Sequence, residues 1–175
     1  MKAIYILFAL TIASSYAAPN TKADPKVITP EENKNIVATE RLALCQHCFW
    51  TGELKIGAID GVTETEAGFI GGREVTMVKY NPKITNVSKI LKKAKGEGVA
   101  TAIYLDDPTK LAGSKKLTNY RRAPQSDQKK QLQGTIFAKL KLTPEQATKV
   151  NSYARSNPRK ALEYLTPEQI KSLNL

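Results

Sequence analysis

The stretch LALCQHCFWTGELKIGAIDGVTETEAGFIGGREVTMVKY, residues 42–80, contains strand-like and helix-like patterns in succession, and the fold is predicted from their order. Short apolar runs at 37–39 and 42–44 predict a first strand. Residues 49–59 then place their apolar side chains at helical spacing on one side. Asp60-Gly61 is typical of a helix end, so the pattern predicts a strand followed by a helix.

Two further strands, a second helix and a last strand follow. Within residues 62–80 the sequence alternates as two strands on either side of a Gly71-Gly72 turn. Thr85 or Asn86 can cap a helix whose apolar residues recur at helical spacing. Residues 99–105 complete the order β-α-β-β-α-β. This order predicts an α+β fold with a ferredoxin-like core.

The rest of the chain predicts a small C-terminal helical extension. Two segments have a capping threonine before proline and a glutamine at the capping-box position: Thr143-Pro144-Glu145-Gln146 and Thr166-Pro167-Glu168-Gln169. A third helix is predicted to start at Asn157-Pro158. We therefore divide the chain into five segments: a signal peptide (1–17), a flexible leader (18–35), the ferredoxin-like core (36–106), a linker (107–125) and the helical extension (126–175).

The first residues predict export. Lys2 precedes an apolar run at 3–12, and Ser15-Tyr16-Ala17 has the small-x-small pattern of a cleavage site. We expect a periplasmic or secreted protein with no membrane segment after cleavage. The whole chain has a formal net charge of +11. Its lysines are spread along the sequence without interleaved aromatic residues, which favours a solvated basic surface over nucleic-acid binding.

Cys45 and Cys48 are the two cysteines of the chain. A disulfide between residues so close in sequence closes almost no loop, so the spacing favours redox chemistry or metal binding over cross-linking. Cys48 also lies where a strand passes into a helix, and the positive end of a helix dipole favours a thiolate. Phe49 and Trp50 can form an apolar pocket beside it. Glu53, one turn further on, is expected to stabilise the start of the helix by its charge.

The same residues carry a family resemblance. Three successive segments resemble, in order and spacing, the motifs of A-type peptide-methionine (S)-S-oxide reductases. They are Cys48-Phe49-Trp50-Thr51-Gly52-Glu53, then Asp60-Gly61-Val62, then Thr-Glu-Ala-Gly-Phe-Ile-Gly-Gly at 65–72. Arg73-Glu74-Val75 and residues 78–82 extend the match. Together these motifs are more specific than any single short pattern.

This resemblance implies thiol-dependent reduction of methionine S-sulfoxide in exported proteins or peptides. Cys48 would attack the sulfoxide sulfur, Glu74 would protonate the oxygen, and Phe49 and Trp50 would hold the methyl group. Cys45 is our own candidate for the resolving thiol, because it lies close enough in sequence to condense with oxidised Cys48. We expect no bound cofactor or metal, and an external thioredoxin-like thiol as the reductant.

Two other interpretations stay open. Copper chaperones share the β-α-β-β-α-β order and carry Cys-x-x-Cys at the first helix, and two thiolates suit linear Cu(I) coordination. Ala43, however, stands where that family has methionine. A degenerate, non-catalytic relative of the reductases is the second alternative, because Gly72 and Glu74 are much closer here than the corresponding residues in the family.

Overall fold

The computed structural model describes residues 39–175, so the predicted signal peptide and leader lie outside the described residues. Within this range one six-stranded sheet and five α-helices form an α+β fold, as predicted. The strands are β1 (Glu40–Cys45), β2 (Val62–Ile70), β3 (Arg73–Tyr80), β4 (Ala102–Leu105), β5 (Lys115–Lys116) and β6 (Arg121–Arg122). The helices are α1 (Phe49–Gly57), α2 (Val87–Gly96), α3 (Pro144–Tyr153), α4 (Pro158–Leu162) and α5 (Pro167–Ser172). Single 3-10 turns occur at Pro108–Lys110, Gln125–Asp127, Lys130–Leu132 and Ile136–Lys139.

The strand order across the sheet is β5-β4-β1-β3-β2-β6. All neighbouring pairs are antiparallel except β4 and β5. The β2–β3 hairpin closes through Gly71 and Gly72, whose φ angles are +57° and +75°. A two-residue hairpin turn with positive φ at both positions is open to glycine without steric cost, which explains the Gly-Gly pair.

Each face of the sheet has its own apolar core. Alternate residues of a strand point to opposite faces, so Leu42 and Leu44 of β1 pack beneath α1 and α2, against Ile56 and Ile90. All four of these side chains are completely buried. Burial of one such side chain is worth about 1.5–3 kcal/mol, so this layer holds α1 firmly on the sheet.

The segment 107–125, expected as a linker, takes part in the sheet. β5 pairs with β4 at one edge, and β6 pairs with β2 at the other. Leu117 and Tyr120 cover the face opposite the helices. The polar composition of this segment does not indicate such pairing, because each contact depends on a partner strand far away in the sequence.

The helical extension begins its helices as predicted. Complete capping boxes are present at Thr143 and Thr166, and Asn157 caps α4 by accepting from Lys160 N. These caps satisfy backbone N–H groups that a helix start leaves without partners. None of the helices in residues 39–175 is long and apolar enough to cross a bilayer.

The extension packs directly on α1. A Cβ atom at Gly57 would lie 2.5 Å from Ser152 Oγ and 3.1 Å from the Thr148 carbonyl, so glycine permits the close approach of α1 and α3. Lys149 is buried and donates from Nζ to the carbonyl oxygens of Gly57 and Ile59, at 2.9 and 2.8 Å. Burial lowers the pKa of Lys149. The α3 lysine thereby satisfies carbonyls at the end of the helix that begins beside Cys48.

Candidate active site

Cys48 lies at the capping position of α1, with an extended backbone (φ −143°, ψ 113°). Its side chain makes no capping hydrogen bond, and the residue is partly exposed. The thiol is therefore not used by the cap, although the residue lies at the start of the helix. Cys48 therefore lies at the positive end of the helix dipole.

Glu74 supplies the cap that Cys48 does not. Phe49 donates its backbone N–H to Glu74 Oε2 at 2.8 Å, so the carboxylate lies against the residue that directly follows Cys48. A backbone bond from Gln46 N to the Glu74 carbonyl, at 3.2 Å, holds the preceding loop to the same residue of β3. The fold thus brings Glu74 to the start of the helix, although it is far from Cys48 in sequence.

Three aromatic rings form a cluster beside this pair. The Phe49 ring packs edge-on against Trp50, with centroids 5.9 Å apart, and against Phe69 of β2, at 5.5 Å. Phe49 itself is only 5% exposed, so the partly exposed Trp50 and Phe69 offer the accessible ring surface. A small apolar group such as a thioether methyl can be held there by dispersion and sulfur–aromatic contacts.

Cys45 lies on the other face of the sheet. It is 4% exposed and packs with Ala43 and Val75 in the apolar layer opposite α1. Its carbonyl accepts from Thr101 N and Oγ1 at 2.8 and 3.0 Å. Both cysteines are free thiols, and Cys48 is the more exposed of the two.

A shallow pocket of about 300 Å³ opens at this end of the sheet, lined by Cys45, Gln46, His47, Arg73, Glu74 and Thr101. His47 is exposed on its rim. Within residues 39–175 no group of three or more His, Cys, Asp or Glu side chains is placed to hold a metal ion. Linear Cu(I) coordination by two thiolates would need the buried Cys45 thiol to face Cys48.

Buried polar contacts fix the loop before the helix. The side chain of Gln46, 5% exposed, is hydrogen-bonded to Thr76 Oγ1 at 2.6 Å. A Cβ atom at Gly52 would lie 2.3 Å from that hydroxyl oxygen and 2.5 Å from the terminal amide group of Gln46. The absence of a side chain at Gly52 therefore lets α1 approach β3 closely enough for Glu74 to reach the helix start.

Glu53, which we expected to stabilise the start of the helix by its charge, lies beyond the first turn and pairs with a residue of the helical extension. Its side chain is fully buried and pairs with Lys129, whose Nζ lies 2.6 Å from Oε1 and whose backbone N–H donates to Oε2 at 2.8 Å. Lys129 Nζ also donates to the Thr65 carbonyl. Burial raises the pKa of the Glu53 carboxyl, and the nearby Lys129 opposes that rise. This pair joins α1 to the helical extension.

Three residues near the site were not assigned from the sequence. Phe69 joins the aromatic cluster, Arg121 lies over its ring, and Lys130 lies over the ring of Trp50. Phe69 stands within the reductase-like motif, so that motif contained a usable signal. Nothing local distinguishes Arg121 or Lys130 from the other basic residues, because their position depends on how the chain after β4 returns to the site.

No protein-family model matches this sequence, and a search of the curated proteins finds no match. The resemblance to methionine sulfoxide reductases therefore depends on the motif residues and on what their arrangement can do chemically.

Proposed function

We propose that this chain reduces methionine S-sulfoxide in exported proteins or peptides, with Cys48 as nucleophile and Glu74 as proton donor. The observation that carries the proposal is the hydrogen bond from Phe49 N to Glu74 Oε2. It holds a carboxyl group against the first residue of α1, which directly follows Cys48 and belongs to the aromatic cluster. The antiparallel order β4-β1-β3-β2, with α1 and α2 packed on one face, supports a ferredoxin-like core.

The chemistry needs both groups. The Cys48 thiolate attacks the sulfoxide sulfur while Glu74 delivers a proton to the oxygen, because an unprotonated oxygen is a poor leaving group. Within the described residues Glu74 Oε1 has no hydrogen-bond partner, so this oxygen is free to carry that proton. The attack forms a bond between the Cys48 sulfur and the methionine sulfur, and the protonated oxygen departs as water. A water molecule then attacks the Cys48 sulfur, the sulfur–sulfur bond breaks, and methionine leaves with that electron pair. Cys48 remains as a sulfenic acid, and one proton is released.

Cys45 is the proposed resolving thiol, and because it is buried it must become accessible before it can react. Its thiol would attack the sulfenic sulfur of Cys48, form a disulfide and release water. Disulfide geometry needs the two Cβ atoms within about 4.5 Å, with the two side chains directed toward each other. Because Cys45 is buried among apolar side chains, this step requires its thiol to become accessible to Cys48. A thioredoxin-like dithiol would then reduce the disulfide.

A methionine sulfoxide peptide and a dithiol reductant test the proposal directly. The wild-type protein should form methionine repeatedly, and Cys48→Ser should form none. Glu74→Gln is the sharper variant, since its amide oxygen can still accept from Phe49 N and keep the helix cap. We expect it to fold normally and to lose about 10²–10⁴-fold in kcat. Full activity in either variant would refute the roles assigned here.

Cys45→Ser separates resolution from reduction. This variant should release one methionine per chain and stop as a sulfenic acid, which a carbon-acid trapping reagent detects by mass spectrometry. Continued turnover at the wild-type rate would show that the external thiol reduces Cys48 directly. That result would remove Cys45 from the mechanism while leaving the reductase activity in place. A wild-type protein with no turnover would instead be a non-catalytic relative.

A further inference from the structure

Two cationic side chains lie against the aromatic cluster. The guanidinium carbon of Arg121 is 4.8 Å from the centroid of the Phe69 ring, and Lys130 Nζ is 4.8 Å from the centroid of the Trp50 ring. The electron-rich face of an aromatic ring attracts a nearby cation, so each contact favours this position of the charge. The accessible ring surface beside Cys48 is thus bordered by positive charge.

The neighbours of these two cations in sequence are paired with acids, but the two cations themselves are not. Arg122 binds Glu66 at 2.6 Å, and Lys129 binds Glu53 at 2.6 Å. Within residues 39–175, Arg121 and Lys130 form no salt bridge. Their charges are available to a carboxylate supplied from outside.

The strand register sets the distance from the reacting centre. Phe69 of β2 pairs with Glu74 on one side and with Arg121 on the other. Adjacent strands lie about 4.8 Å apart, so the Cα atoms of Glu74 and Arg121 are separated by roughly 10 Å. An extended peptide covers that distance in about three residues. Lys130 lies over Trp50, the second residue of α1 and two positions after Cys48.

We propose that this site selects peptides in which aspartate or glutamate lies within about three residues of the methionine sulfoxide. This inference rests on the proposed function, since it names the substrate class of the same site. The sulfoxide side chain enters beside Cys48 and Glu74, and the flanking carboxylate meets Arg121 and Lys130. The expected gain is modest because both cations remain accessible to water, where an ion pair contributes little.

Trp50 is the one tryptophan of the chain, so its fluorescence reports events at the site. The experiment uses the Cys48→Ser protein, which cannot react, and two peptides that differ only by Asp or Asn two residues from the methionine sulfoxide. We expect the Asp peptide to bind roughly threefold to tenfold more tightly. The preference should shrink at high salt, because screening weakens exposed charge pairs.

Charge-removing variants identify the residues responsible. Arg121→Gln and Lys130→Gln, each in the Cys48→Ser background, should reduce the preference, and the double variant should abolish it. Lys83→Gln is the matched control, since Lys83 is exposed just beyond Tyr80, at the end of β3 remote from Glu74. Equal affinity for the two peptides, or a preference that survives the double variant, would overturn the proposal.

Turnover by the wild-type protein tests the reductase activity separately from the preference for acidic peptides. The Asp peptide should have a lower KM than the Asn peptide at similar kcat, as expected for a contact made equally in the ground and transition states. Turnover of both peptides with equal KM and equal binding would refute the selectivity and retain the reductase. An Asp preference in binding without any turnover would refute the reductase and retain an acidic-peptide site.

Discussion

Replacing Lys129 with methionine should leave the Glu53 carboxylate buried without its cationic partner. Methionine keeps an unbranched side chain of similar length, and the backbone N–H that donates to Oε2 is unchanged. Lys129 has a left-handed backbone with φ +48°, which is equally unfavourable for methionine. The variant therefore removes mainly the ammonium group, together with its bonds to Glu53 and the Thr65 carbonyl.

The expected decrease in the free energy of unfolding is large for the replacement of one lysine near the surface. Breaking a buried ion pair by removing one partner costs about 3–5 kcal/mol, because the other charge stays desolvated. The side chain of Glu53 is fully buried and that of Lys129 is 16% exposed, so the pair belongs to this class. With an m-value of about 2 kcal/mol/M, the urea midpoint should fall by roughly 1.5–2.5 M.

The loss should also depend on pH. Burial raises the pKa of Glu53 in the folded protein, and removal of Lys129 eliminates an effect that opposes this rise. A carboxyl whose folded pKa exceeds its unfolded pKa favours folding when protonated, and that contribution disappears as the pH rises through the folded pKa. The deficit of the methionine variant should therefore be smaller at pH 5 than at pH 8.

Urea titrations followed by far-ultraviolet circular dichroism at these two pH values measure both effects. The double variant Glu53→Gln with Lys129→Met serves as control, and it should lose less than Lys129→Met alone because no charge is left buried. A loss below about 1 kcal/mol at pH 8, the range of exposed ion pairs, would refute the reasoning. So would a loss that does not change with pH.

The same urea assay tests three further substitutions, of which two should destabilise the protein and one should stabilise it. Gly52→Ala should cost about 1–3 kcal/mol, since its Cβ would overlap the Thr76 hydroxyl and the Gln46 amide, and an unchanged midpoint would contradict that packing. Gly96→Ala, at the end of α2, should instead stabilise by up to about 1 kcal/mol because no atom lies within 4 Å of the new Cβ; a loss there would argue against the helix end as described. Thr143→Ala should cost about 1 kcal/mol through loss of the capping box, whereas a neutral result would mean that solvent replaces the cap.

Much of the site followed from local sequence. Cys48, Phe49 and Trp50 are consecutive, so a helix that starts at this point necessarily presents them together. Glu74 was selected only through the reductase-like motif, and its contact with Phe49 N depends on β1 and β3 pairing side by side. The face on which Cys45 lies could not be decided, because the first strand is buried on both faces and shows no alternation of polar and apolar residues.

The sequence by itself determined the elements whose causes are local. Apolar spacing defined α1 and α2, the Gly-Gly pair defined the hairpin turn, and Thr-Pro-Glu-Gln defined two helix starts, since each depends on neighbours within a few residues. Only the tertiary structure decided that the chain after β4 returns to both sheet edges, that Lys129 reaches Glu53, and that Arg121 and Lys130 border the aromatic cluster. Those contacts join residues many positions apart. They form only when burial of the shared core has already brought the segments together. The residues near each segment in sequence therefore do not predict these contacts.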